Sequence, residues 1–323
     1  MKAIRFEKIG GPEVLQWQDV NLPPPSAGEV RIRHTVIGVN FIDTYHRSGL
    51  YPVPLPSGLG GEAAGVIEAL GQGVKGFKLG DRVAYGTGGP GAYAEQRNFS
   101  TQHLVKLPKA ISDETAAGMM LKGMTARYLL RATYKVKRGQ TILLHAAAGG
   151  VGLILSQWAK ALGVKVIGVV GSAEKMQTAL DHGCAHVINS SSENVVARVR
   201  ELTSGKNVPV VYDGVGQATL MTSLDCLAPR GMLVSFGNAS GPVSALNLWL
   251  LAARGSLYVT RPTLGSYIAT AAEFKETTQD LLEIVKSGKV KIQVNQRYTL
   301  KDAAQAHRDL EARKTTGVTV LVV

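Results

Sequence analysis

One stretch constrains this chain more than any other. Thr141-Ile142-Leu143-Leu144-His145 runs into Ala146-Ala147-Ala148-Gly149-Gly150-Val151-Gly152, and a helical pattern then continues to residue 162, where Gly163 stops it. An apolar strand, a glycine turn and a helix start in immediate succession form the arrangement that binds dinucleotides. Gly149 and Gly150 let backbone approach a pyrophosphate with no Cβ in the way. The helix start near Gly150 turns unpaired N–H groups and the positive end of its dipole toward an anion. Against the pattern G-x-G-x-x-G the chain offers Ala147, Gly149 and Gly152, so alanine replaces the first glycine. An isolated turn of this kind reads as structural. Here strands at 165–170, 186–189, 208–212 and 232–236 alternate with helices at 172–181, 193–202 and 218–227, which predicts an α/β fold with a doubly wound parallel sheet.

The pattern before residue 113 differs. Arg31, Arg33 and Thr35 alternate with Ile32, His34 and Val36 across 30–39, as in a half-buried strand. Residues 64–70 and 82–85 read as further strands, separated by Gly71, Gly73, Gly76 and Gly80, and the whole as a compact antiparallel, barrel-like domain. Ser112-Asp113-Glu114-Thr115 opens a helix over 113–131. A strand at 256–260, a helix at 266–287 and short strands around a helix at 300–313 complete the chain. The expected division is 1–124, 125–262 and 263–323, with the last segment rejoining the first domain. Two domains suit 323 residues.

Composition excludes several classes. With 45% hydrophobic and 19% charged residues the chain is not disordered. Cys184 and Cys226 cannot build a disulfide framework or a four-cysteine zinc site, and they fit a reducing, cytoplasmic setting. Lys2 and Arg5 interrupt the N-terminus too early for a signal-peptide core. The uncharged stretches 139–159 and 231–253 are broken by the glycine loop and by Gly241-Pro242, so neither a membrane-spanning helix nor a membrane partner is expected. The formal net charge of +12 draws anions. Lys122, Arg127, Arg131, Lys135, Lys137 and Arg138 form a candidate strip for RNA phosphates, although no recognised RNA-binding motif accompanies them.

The residues also bear on the choice of cofactor. An NAD site expects an acid about 20 residues beyond the glycine loop, gripping the ribose 2′-hydroxyl. The second strand instead ends in Gly171-Ser172-Ala173-Glu174-Lys175. Small residues leave room for a 2′-phosphate, and Ser172 and Lys175 can bond it, which favours NADPH.

Several motifs now resemble a known family. They are Gly139-Gln140-x-x-Leu143, Ala147-Ala148-Gly149-Gly150-x-Gly152 and Gln157-x-x-Lys160; in the first domain, residues 38–45, 47–52 and the pattern from Gly71 to Val83; later, Val211-Tyr212-Asp213-x-Val215-Gly216, residues 234–238 and 258–262. Across nearly the whole chain they resemble the zinc-free, ζ-crystallin-like quinone oxidoreductases of the medium-chain dehydrogenase/reductase superfamily, the bacterial ones most closely. The resemblance implies a GroES-like substrate domain, a Rossmann domain and NADPH in the cleft between them. It implies Asn40, Phe41, Ile42, Asp43 and Tyr45 around the nicotinamide, with Thr125 near the cofactor. Gly149, Gly150 and Val151 would take the pyrophosphate, and Gly171, Ser172 and Lys175 the 2′-phosphate, with help from Arg313. Phe236, Gly237, Asn238, Val259 and Thr260 would line the nicotinamide side. Ser190 stands where relatives often place tyrosine. The resemblance also implies a homodimer through the edge strand at 256–260, and some relatives bind AU-rich RNA.

Metal-dependent relatives need Cys, His and a further ligand, where this chain has Asn40 and Gly61, so no metal is expected. Without a metal to polarise an alcohol, the favoured acceptor is one already electrophilic. A quinone is the first choice, with an enone or 2-alkenal as the alternative. Tyr45 and Tyr51 are the candidate hydrogen-bond donors to a quinone oxygen, and Asn40 a candidate for positioning substrate or nicotinamide. His34, His145 and His182 read as structural, and His46 more as structural than functional.

Overall fold

A computed structural model describes residues 1–323. The chain starts with the antiparallel pair β1 (Lys2–Phe6) and β2 (Gln16–Asp19), then enters the long strand β3 (Glu29–Val39). Ile32, His34 and Val36 of β3 are buried while Arg33 is exposed, as the alternation requires. Helix α1 (Phe41–Ser48) follows directly, and Gly49, in the left-handed region at φ 83°, ends it. Next come β4 (Ser57–Gly58), β5 (Ala63–Leu70), β6 (Arg82–Tyr85), β7 (Gln96–Ser100), β8 (Val105–Lys106) and α2 (Asp113–Tyr128). The last turn of α2 widens into a π-helix at Leu129–Thr133, so the α-helix ends before residue 131.

The alternating region begins with β9 (Thr141–His145), α3 (Gly150–Ala161), β10 (Lys165–Val170), α4 (Glu174–Asp181), β11 (His186–Asn189), α5 (Val195–Leu202) and β12 (Val208–Asp213). It continues through α6 (Leu220–Asp225), β13 (Leu227–Ser235), α7 (Trp249–Ala253), β14 (Tyr258–Thr260) and α8 (Ala271–Lys286). The six strands form one parallel sheet in the order β11-β10-β9-β12-β13-β14. This is the doubly wound order, whose direction reverses between β9 and β12, where such sheets bind ligands. The edge strand β14 is where the sequence places it. Helix α8 starts later than residue 266 because Thr270 and Glu273 form a reciprocal capping box.

The chain ends with β15 (Val294–Thr299), α9 (Ala303–Glu311) and β16 (Val318–Val322). These strands join the first sheet, ordered β15-β16-β3-β5-β6-β8, with β7 also on β3. Its pairs are antiparallel, as the sequence pattern before residue 113 predicts, and only the C-terminal pair β15–β16 runs parallel. Ile4, Phe6, Ile32, Ile37, Tyr85 and Leu321 lie in its buried core.

Contacts divide the chain into two units, residues 1–122 with 292–323, and residues 123–291. The return to the first unit therefore falls at 292 rather than 263. Helix α8 accounts for the difference. Buried Arg127 of α2 donates to Asp280 Oδ2 (2.9 Å) and to Glu276 of α8, and a Cβ on Gly123 would stand 2.4 Å from Leu281 Cδ1. Gln157 of α3 then bonds both backbone groups of Lys291.

Candidate active site

In the second unit, the loops after the strands meet at their C-terminal ends. Gly149 is the N-cap of α3 and has no side-chain cap, so the first-turn N–H groups of the helix remain open to an anion. A Cβ on Gly149 would meet only Ala146 O, at 3.2 Å; one on Gly152 would stand 2.5 Å from Ala146 O and 2.6 Å from Ala147 O. The first glycine thus keeps the approach to the helix end clear, and the second lets α3 pack against the turn. Those are the separate tasks of the glycines in a dinucleotide loop. The residues fit a pyrophosphate.

At the end of β10, a Cβ on Gly171 would meet nothing within 4 Å. Ser172 and Lys175 are half-buried there, and Glu174 is exposed at the first position of α4. Ser190 N–H and Oγ both bond Val170 O (2.9 and 3.1 Å), which fastens the end of β11 to that of β10. Two strands away, Asp213 organises the loop after β12. Its carboxylate accepts from Val215 N (2.8 Å), Gly216 N (3.1 Å), Thr219 Oγ1 (2.7 Å) and Ser223 Oγ (2.7 Å). Because Ser223 gives its only proton to Asp213, His145 Nε2 donates to Ser223 Oγ (3.1 Å), a structural role. Phe236 lies against Gly214, and a Cβ on Gly237 would stand 2.3 Å from Gly214 O. Asn238 is buried beside them, and Thr260 pairs with Val234 at the end of the neighbouring strand. Arg261 donates to Ser235 O (2.7 Å), closing that corner. Thr125 is buried on α2. Val259 stands exposed on the edge strand.

In the first unit, the candidate residues cluster on α1. Residues four apart share a helix face, so Phe41 and Tyr45 stand together with ring centroids 5.6 Å apart. Tyr51 adds its ring edge-on at 5.2 Å from Tyr45, and His46 lies 6.1 Å from Tyr51. Burial lowers the pKa of His46. Asp43 and Arg47 occupy the opposite face. The expectation that Asp43 faces the cofactor is corrected: its carboxylate turns into the unit, accepting from Asn40 N (2.9 Å) and Tyr93 OH (2.9 Å). Burial pushes the Asp43 carboxyl up to about 7. Arg47 donates to His307 Nδ1 (3.0 Å) and to both carboxylate oxygens of Glu311 (3.1 and 2.6 Å).

Asn40 is buried as the N-cap of α1, and its Nδ2 donates to Glu62 Oε2 (2.7 Å). The same nitrogen donates its second hydrogen to Gly38 O (3.4 Å), so both amide hydrogens are engaged within the unit. Glu62 is fully buried and also accepts from Lys122 Nζ (2.9 Å) and Leu121 N (2.8 Å). In the sequence Glu62, Tyr93 and His307 carry no assigned functional role, and Asp213 and Arg261 stand there only within the motifs that carry the family resemblance. An acid set among Leu59, Ala63, Ala64 and Val66 was the available signal for Glu62, since a charge in an apolar strand must be paired. Arg313, exposed and in the left-handed region at φ 59°, follows α9.

The basic strip needs correction. Lys122 is paired with Glu62, Arg127 with Glu276 and Asp280, and Arg131 with Asp280. These three cations are neutralised within the fold, two of them buried. No group of three or more His, Cys, Asp or Glu side chains is placed to hold a metal ion, and no helix is long and apolar enough to cross a membrane.

Two family models match this architecture: an alcohol dehydrogenase GroES-like domain over residues 26–109 and a zinc-binding dehydrogenase over residues 150–286. The two sheets and the glycine loop define the class, a medium-chain dehydrogenase/reductase. A quinone oxidoreductase of Pseudomonas aeruginosa is 57% identical over 99% of both chains. The crystal structure of Escherichia coli quinone oxidoreductase complexed with NADPH superposes with a TM-score of 0.98 at 52% identity, covering 100% of each chain. A 2-haloacrylate reductase from a Burkholderia species is 46% identical over 99% of this chain and 98% of its own. The chain belongs to the quinone oxidoreductase family of that superfamily.

Proposed function

We infer that this chain reduces quinones with NADPH. The observation that carries the reading is the acid-free end of β10 beside an uncapped, glycine-lined start of α3, in a member of the quinone oxidoreductase family. NADPH, when bound, supplies a hydride. Gly149, Gly150 and Val151 hold the pyrophosphate through backbone N–H groups. Ser172 and Lys175 bond the 2′-phosphate, with Arg313 as a further cation for it. Phe236, Gly237, Asn238, Val259 and Thr260 line the nicotinamide side of the second unit, on a loop held in shape by Asp213. Phe41 and Ile42 contribute half-buried apolar surface to the cofactor, and buried Thr125 of α2 a hydroxyl.

A quinone that takes up a hydride and one proton becomes a hydroquinone. With no ligand set to hold a metal, the acceptor's own electrophilicity carries the reaction, and the protein's task is alignment. Tyr45 and Tyr51 donate to the developing oxyanion; Asn40 fixes the start of the helix that carries Tyr45. Support for a homodimer comes from β14, where Tyr258 and Val259 stand exposed at a sheet edge; Leu248 and Trp249, at the start of the preceding helix α7, are exposed as well. We place the protein in the cytoplasm. RNA binding as a second activity has lost Lys122, Arg127 and Arg131 from its strip, so the reductase reading stands ahead of it.

The test is a panel of ortho-quinones, para-quinones, enones and 2-haloacrylates with NADPH. Quinone turnover is expected. NADPH consumption with 2-alkenals or 2-haloacrylates, and none with any quinone, would replace this reading with the enone-reductase one.

A further inference from the structure

The second unit carries unpaired positive charge at the end of the sheet remote from the glycine loop. From Thr115 to Ala173 the sequence contains no Asp or Glu. The fold then gathers basic residues at the N-terminal ends of three adjacent strands, β10, β9 and β12. Lys165 opens β10, Lys137 and Arg138 precede β9, and Lys206 precedes β12. The first two connections are clipped together: Gly139 N–H donates to Gly163 O (2.8 Å), and a Cβ on Gly163 would stand 2.8 Å from Arg138 Cγ. Lys160 lies in the last turn of α3, one turn beyond Gln157, whose side chain bonds Lys291 O (3.0 Å) and Lys291 N (2.9 Å). Lys291 therefore joins the same edge. All six residues are exposed, and none takes part in an ion pair. Of the acids at the C-terminal ends of α4, α5 and α6, Glu201 pairs with Arg198 and Asp225 with Arg254, which leaves Asp181, accepting from Gln177 Nε2 (2.7 Å), against six cations.

Neighbouring strands lie about 4.8 Å apart. Charges from three of them fall within about 10 Å, one Debye length, and act on an anion together. We propose that this edge docks the protein onto an anionic lipid surface. Five of the six cations are lysines, point charges on flexible stems that suit a diffuse negative surface better than bidentate recognition of individual groups. The Trp and Tyr rings near this edge are not presented for base stacking: Trp158 is buried, and Tyr134 is half-buried with its hydroxyl accepting from Gln140 Nε2 (3.1 Å). The glycine loop lies at the opposite ends of the same strands, so docking leaves it uncovered. The expectation of no membrane partner rested on the lack of a spanning segment, whereas a docking face is made by the folded charge. One consequence depends on the quinone-reductase reading: a quinone with a long alkyl tail partitions into the bilayer, so a docked enzyme meets its acceptor there.

The experiment is co-sedimentation of the full-length protein with phosphatidylcholine vesicles, with and without phosphatidylglycerol. Binding to the anionic vesicles alone, released by high salt, is expected. The triple variant Lys160→Gln/Lys165→Gln/Lys206→Gln should bind about a hundredfold more weakly, roughly fivefold for each lysine removed. Lys137→Gln/Arg138→Gln, on the neighbouring connection, should weaken binding independently, and thermal unfolding of each variant confirms that it is folded. Equal binding to neutral vesicles, or full binding by both folded variants, overturns the proposal. Tighter binding to polyuridylate than to vesicles, lost in the triple variant, reassigns the edge to nucleic acid and also overturns it. Turnover of a water-soluble quinone, run in parallel, separates the two readings. Docking without turnover refutes the reductase, and turnover without docking refutes only the lipid surface.

Discussion

Replacing Gly149 with alanine should separate cofactor binding from folding. At φ −80° and ψ 173° the residue has an extended backbone that alanine adopts without strain. Its Cβ would meet one atom, Ala146 O at 3.2 Å, which needs a shift of a few tenths of an ångström. A cost of roughly 0.5–1 kcal/mol to stability follows. The methyl group would, however, stand where backbone must approach the pyrophosphate. Losing one charge-assisted hydrogen bond is worth about 1.5–3 kcal/mol, or roughly 10- to 150-fold in Kd. Gly152→Ala is the contrasting case. Its Cβ would press on two backbone carbonyl oxygens at 2.5 and 2.6 Å, neither of which can rotate away. Helix α3 must then lift from the turn, at about 1–3 kcal/mol or more. In a unit of this size that lowers Tm by roughly 2–4 °C per kcal/mol. Calorimetric titration with NADPH and thermal unfolding of the free protein measure both effects. Gly149→Ala should lose affinity with a nearly unchanged Tm, and Gly152→Ala should lose both. An unchanged Kd in Gly149→Ala would refute the placement of the pyrophosphate at this helix end.

Four further outcomes are expected. Tyr45→Phe and Tyr51→Phe should lower kcat on quinones by up to a few kcal/mol of transition-state stabilisation while sparing the Kd for NADPH; full kcat in both variants means that the rings only pack and water delivers the proton. Lys175→Ala should shrink the preference for NADPH over NADH in kcat/KM by about 1–3 kcal/mol, and a wild type indifferent to the two cofactors contradicts the reading of the β10 end. Glu62→Gln leaves Lys122 charged and buried without its partner and should cost roughly 3–5 kcal/mol; a denaturant midpoint within error of wild type would sink that argument. Burial holds His34 down to about 4 and His307 to about 3, both below the value of about 6.5 in the unfolded chain. Their stabilisation is present above that value and is lost as pH falls toward 4 and then 3. Asp43, held up at about 7, acts with the opposite sign: its contribution is present below about pH 4 and lost as pH rises through 7. Between pH 6.5 and 4 the fall of Tm on acidification should therefore be shallower in His307→Gln and steeper in Asp43→Asn, and parallel curves for all three proteins would count against these assignments.

The doubly wound sheet was legible because each strand is a short apolar run bounded by glycine or a helix cap, and backbone chemistry alone dictates the glycine loop. Boundaries shifted where a tertiary contact decided them. Helix α8 belongs to the second unit because Arg127, far earlier in the chain, reaches Glu276 and Asp280, and no local pattern announces a pair separated by that distance. The same pair explains why a row of cations in the sequence is not a surface strip. Lys122 and Arg127 looked solvated from composition, yet one is buried on Glu62 and the other on α8. Burial of a charge depends on its partner, and partners are set by topology.

The α1 segment shows where that limit lies within one motif. Phe41-Ile42-Asp43-Thr44-Tyr45 stands in the sequence as one block of candidate residues, but a helix divides it by face. Phe41 and Tyr45 share one side with Tyr51, while Asp43 and Arg47 share the other with Tyr93 and His307. Proton directions on that inner side are fixed from one end. A guanidinium can only donate, so Arg47 leaves His307 Nδ1 bare and the ring proton sits on Nε2. Nε2–H then donates to the Tyr93 oxygen (3.1 Å), and the Tyr93 hydroxyl donates to Asp43 Oδ2 (2.9 Å). Adding a proton to His307 would set an N–H against the Arg47 N–H, and burial together with that cation is why its pKa lies near 3. This hydrogen-bond relay ends on the residue that also accepts the backbone N–H of Asn40, so this face holds the start of the helix whose other face carries Tyr45, itself buried against Phe41 and Tyr51. A substitution at His307 should therefore reach the reaction through the position of Tyr45, changing kcat more than the binding of NADPH.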